Sequence, residues 1–141
     1  MTSAVGEPAT PAAPRSGFRY VDHPETYHAE GVYEVRIPAG ITNKRILLRH
    51  FARSLKFPKY FGWNWDALDE CLRDLSWLTD PKPIVVIHHD LPFRAGEDRR
   101  KIYLHILRDQ IQAHEGTDLP VIEVVIGMAV RDDVERLIQS D

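Results

Sequence analysis

A chain of 141 residues with 43% apolar and 28% charged residues has the make-up of one globular domain, long enough to bury a core. Its formal net charge of −3 argues against a general nucleic-acid binder, which would be basic, but leaves room for a partner that is itself basic. The single cysteine, Cys71, excludes an intrachain disulfide and a cysteine-rich zinc site, and no stretch approaches the ~20 apolar residues of a membrane helix.

Residues 1–17 are rich in Ala, Pro, Ser, Thr and Gly without periodicity, and they lack the basic start and apolar run of a signal peptide. A disordered leader and a cytoplasmic protein are expected. Residues 18–31 mix Tyr20, His23, Tyr27 and His28 around Pro24, which interrupts any regular element, and are expected to cover one edge of a single domain over 18–141. Residues 32–37 alternate, with Tyr33, Val35 and Ile37 on one side and Glu34 and Arg36 on the other, so they predict a strand.

Thr42 or Asn43 can cap a helix running to about Lys56, whose buried stripe is Leu47, Phe51 and Leu55, helped by Ile46 and Leu48. Phe57-Pro58 stops it. After the acidic segment taken up below, the apolar run of residues 84–89 (IVVIHH) reads as a central strand covered on both faces. Residues 97–114 predict a long helix with Ile102, Tyr103, Ile106, Leu107 and Ile111 inward and Arg99, Arg100, Lys101 and Arg108 largely outward. Residues 121–128 predict a third strand, and Asp132 or Asp133 opens a short last helix. The order β-α-α-β-α-β plus that helix implies an α/β fold with a three-stranded parallel β-sheet flanked by helices.

Residues 60–78 (YFGWNWDALDECLRDLSWL) carry the most distinctive pattern. An aromatic turn closed by Gly62 precedes Asn64, placed as the N-cap of a helix of about four turns. At about 100° per residue, Asp66, Asp69, Glu70, Arg73 and Asp74 share one side, and Trp65, Leu68, Leu72 and Leu75 share the other with Cys71 at the margin. Five acids (the four above and Asp80) face one base over residues 60–80, a surface suited to a positive partner. Periodicity alone favours a solvated charged face for these acids, and for Asp66 a residue that stabilises the positive end of its helix. Trp65 and Cys71 read as packing residues, and Trp63 as either buried or an interface anchor.

Residues 57–72, FPKYFGWNWDALDECL, resemble the signature of the barstar family, and the likeness spans roughly residues 32–128. The resemblance implies a three-stranded parallel sheet with helices, and an inhibitor of a small secreted ribonuclease that plugs the active site with the second helix and the turn before it. It places the turn tyrosine on Tyr60, the paired carboxylates on Asp66 and Glu70 and, by a looser alignment, an acid of the third helix on Asp109. Asp69, Arg73 and Trp63 depart from the best-known member, so a different partner is expected.

The implied partner is a small basic ribonuclease or related toxin, with no direct nucleic-acid contact, no membrane, no cofactor and no metal, and with a monomer when free. A protein-interaction module, or an immunity protein for a different toxin, would use the same helix. An enzyme reading rests on His88, His89 and Asp90 at the end of the middle strand. Adjacent strand residues point to opposite faces, however, and neither a phosphate loop nor a nucleophile motif accompanies them, so catalysis is not expected.

Overall fold

The computed structural model describes residues 13–140. Its sheet has four strands, all parallel, in the order β1-β4-β3-β2: β1 (Gly17–Val21), β2 (Tyr33–Ile37), β3 (Ile84–His88) and β4 (Ile122–Gly127). The helices are α1 (Lys44–Ser54), α2 (Trp65–Asp74), α3 (Glu97–His114) and α4 (Arg131–Gln139). The three-stranded expectation is therefore corrected by β1, which pairs along the outer edge of β4. Phe18 and Tyr20 drive this by alternation, packing on the helical side while Arg19 and Val21 turn the other way. Most of the leader expected over residues 1–17 lies outside the described residues, and Gly17 already opens β1.

One face of the sheet holds the main core, in which Val35, Ile37, Ile84, Val86, Val124 and Ile126 meet Leu47, Phe51, Leu68, Leu72, Tyr103 and Leu107. The other face is covered by the chain between β1 and β2, where Tyr27, Ala29 and Val32 lie on Val85, Ile87 and Val125. Coverage on both sides explains why every residue of β3 is buried. No helix among the described residues is long and apolar enough to cross a membrane.

Two stripes are narrower than expected. Ile46 and Ile102 stand 41% and 42% exposed, because Leu48 and Leu104 take the inward positions beside Leu47 and Tyr103. Arg100, expected outside, is half-buried and donates to the carbonyls of Pro92 and Leu91 and to Asp133.

The histidines at the end of β3 go separate ways, as period-two alternation requires. His88 is fully buried, with Nδ1 3.1 Å from the Val125 carbonyl and Nε2 2.7 Å from the Tyr103 hydroxyl. A carbonyl only accepts, so Nδ1 carries the hydrogen and Nε2 accepts from Tyr103. His89 instead faces Arg36, 3.0 Å away, and Asp90 accepts from the Leu91 amide. The three groups do not converge on a common point, and burial holds the His88 imidazole down to about 4.

Candidate partner-binding site

The turn before α2 is built on stacked aromatic rings. Phe57 packs between Phe61 and Trp77, and Phe61 packs on Trp63, with centroids 4.8, 5.8 and 5.0 Å apart. The Phe61 amide closes a tight turn onto the Pro58 carbonyl. Burying Phe61 in this stack pushes its neighbour outward, so Tyr60 stands 73% exposed. The left-handed residue of the turn is Trp63, at φ 56°, and not Gly62. Trp63 is half-buried, with the Arg45 guanidinium over its ring at 4.6 Å.

Both ends of α2 are fixed. Asn64 accepts from the Ala67 amide at 2.7 Å, the N-cap bond that its position predicts. The helix ends at Asp74, short of the expected four turns, because Leu75 turns left-handed and bonds back to the Cys71 carbonyl. Leu75 is buried, and its burial offsets the cost of that conformation in a residue with a Cβ.

Between the turn and the helix runs a groove of about 470 Å³, lined by Tyr60, Phe61, Gly62, Asn64, Asp66, Ala67, Glu70, Cys71 and Asp74. Asp66, Glu70 and Asp74 are exposed, one helical turn apart, and none forms a hydrogen bond or ion pair among the described residues. Beneath them lies the Cys71 thiol, pushed up by burial and then by Asp74 and Glu70, which keeps it protonated and a poor nucleophile.

The other acids expected at the site are placed differently. Asp69 accepts from Gln110 of α3 at 2.6 Å and from Arg73 at 3.3 Å, so its carboxylate ties α2 to α3. Gln110 is fully buried and was not singled out from the sequence, since nothing local marks a glutamine on a long helix as a packing partner. Arg73 stays largely exposed beside Asp69. Asp109 is half-exposed, is held by Arg108 at 3.1 Å, and does not line the groove. A second anchor behind α2 is His114, whose ring nitrogens sit 2.7 Å from the carbonyls of Leu72 and Pro120.

A further feature beside the site went unread in the sequence. Residues 35–65 hold seven of the chain's 18 Lys and Arg residues and none of its 21 Asp and Glu residues. Six of the seven lie on α1 and the turn after it: Lys44, Arg45, Arg49, Arg53, Lys56 and Lys59. Lys44 and Arg45 lie over Trp65 and Trp63, and none of the six has an acidic partner among the described residues.

No curated protein and no solved structure matches the chain. A family model does, the one described as Barstar (barnase inhibitor), over residues 34–124. That span runs from β2 into β4, takes in α1, α2 and α3, and leaves out β1 and α4. It therefore contains the aromatic turn, the groove and all three of its carboxylates, and the chain belongs to the barstar family.

Proposed function

We propose that the protein is a proteinaceous inhibitor of a small basic ribonuclease, and that α2 with its preceding turn fills the enzyme's active site. The observation that carries this reading is the row of exposed carboxylates, Asp66, Glu70 and Asp74, unpartnered among the described residues and lining a groove beside an exposed tyrosine. A ribonuclease cleft gathers Lys, Arg and His to hold phosphates and developing negative charge. Carboxylates about 6 Å apart on a helix capped at both ends can take those positions, forming charge-assisted hydrogen bonds with little left to order on binding. Tyr60 adds an aromatic anchor at the centre of the contact. Inhibition is then occlusion without turnover. A buried, unpaired cysteine suits a reducing cytoplasm, where a cell would need protection from its own nuclease.

The test is capture from the native host on immobilised wild type and on Asp66→Ala/Glu70→Ala in parallel, with ribonuclease assays on what is retained. Wild type should retain a ribonuclease and silence it at equimolar ratio. The variant should bind it more weakly by about 2–4 kcal/mol, roughly 30- to 700-fold in Kd, since the partner's cations are left desolvated and unpaired. Equal retention by both proteins would remove the acidic row from the mechanism. Retention of a partner without ribonuclease activity, dependent on the same two residues, would instead favour immunity to a different toxin, the reading supported by Trp63, Asp69 and Arg73.

A further inference from the structure

The acidic row has a counterpart of opposite sign. Arg45, Arg49 and Arg53 are exposed and spaced at four residues along α1, just as Asp66, Glu70 and Asp74 are along α2. A four-residue step on a helix is about 6 Å, so the two rows have the same pitch. The helices also run in the same direction. Lys44 and Arg45 meet Trp65 and Trp63 at their starts, and the Trp77 indole donates to the Leu55 carbonyl at 2.8 Å beyond their ends. The residue 60–63 turn lies between the rows, with Trp63 touching the cationic side and Tyr60 the acidic groove.

Neither row is neutralised by another of the described residues. Arg49 and Arg53 have no ion pair among the described residues, and their field is felt by half-buried His50, whose imidazole is pushed down by burial and then by Arg53 and Arg49. An unopposed cationic row beside an unopposed anionic row of equal pitch is a self-complementary surface. A two-fold axis parallel to both helices, passing over the turn between them, sets α1 of one copy opposite α2 of the other, the two running in the same direction. Arg45 then faces Asp66, Arg49 faces Glu70 and Arg53 faces Asp74, each twice, around the exposed ring of Tyr60.

We infer that the free protein associates with a second copy of itself through this face, in an isologous contact that covers the acidic groove. This departs from the monomer expected from the sequence, and it concerns the chain alone, so it stands or falls apart from the ribonuclease reading. Exposed ion pairs are individually weak and association has its own entropic cost, so the contact is weak and salt-sensitive. It competes with any partner that seats on α2.

Sedimentation of the purified chain at about 0.5 mM, in about 20 mM and then about 0.3 M NaCl, reads the contact through a Debye length that shrinks from roughly 20 to roughly 6 Å. The average mass should rise above the 16.2 kDa of one chain in low salt and return to it in high salt. Arg49→Glu/Arg53→Glu and Glu70→Arg/Asp74→Arg, each confirmed folded by circular dichroism, should each stay at one-chain mass. Mixed in equal amounts they should associate again, because one variant then offers two acidic rows and the other two basic rows. A wild type at one-chain mass in low salt would overturn the inference, as would a mixture that stays apart. So would a wild type that stays monomeric while retarding a labelled RNA oligonucleotide through Arg49 and Arg53, which would assign the cationic row to a nucleic acid.

Discussion

Asp69 and Glu70 are neighbours in the chain with different surroundings. The Asp69 carboxylate is shared between buried Gln110 and Arg73, while that of Glu70 stands over the groove with no partner among the described residues. Asp69→Ala should therefore cost about 1–3 kcal/mol in urea unfolding, because it strands the Gln110 amide, and Glu70→Ala should stay within about 0.5 kcal/mol of wild type. Steps of 100° put both acids on one side of α2. What separates them is a residue of α3 about forty positions later, which local periodicity cannot see. The same holds at His88, where alternation correctly splits it from His89 but says nothing of Tyr103. The folded protein holds the His88 imidazole at about 4, against about 6.5 in an unfolded chain, so unfolding takes up a proton below that value. The stability this ring supports is complete above pH 6.5 and is lost as pH falls towards 4, by about 3 kcal/mol in all. Urea titrations stepped through that window should show the fall in wild type and a flatter dependence in His88→Gln.

Among the elements, α1, α2, α3, β2, β3 and β4 were legible because each carries its own signal: a cap, a stripe, an alternation or a stopping proline. The Asn64 cap and the apolar side of α2 could be read directly, and the family motif then supplied a meaning for the outward side. β1 was not legible, although Phe18 and Tyr20 alternate with Arg19, because the run is five residues long and Pro24 follows closely. Its pairing is with a strand about a hundred residues away, and parallel pairing leaves no hairpin turn to mark it. The attachment rests on one polar contact in particular, the Arg19 guanidinium at 2.9 Å from the Glu123 carboxylate, which is 2% exposed. Arg19→Ala should lower stability by about 3 kcal/mol by leaving that charge buried and unpaired. Arg19→Ala/Glu123→Ala should lose less than Arg19→Ala alone, and thermal unfolding of the three proteins measures the difference. Without β1, the edge of β4 would also be open to other strands.

At the scale of the molecule, a formal charge of −3 hides two strongly charged regions, one for each sign. The acidic one was visible because the period of a capped helix gathers its carboxylates on one side, and a family motif then gave that side a meaning. The basic one was equally visible as letters but has no motif, and only the fold shows that it borders the same turn. Cys71, at the floor of the groove, is the single sulfhydryl of the whole chain. An alkylating dye can therefore report on this one location without any engineered handle. Its attachment will be slow, because the thiolate is scarce under two carboxylates, and slower still whenever another protein is parked above it. Labelling speed thus becomes a clock for how long the groove is covered, whichever visitor covers it.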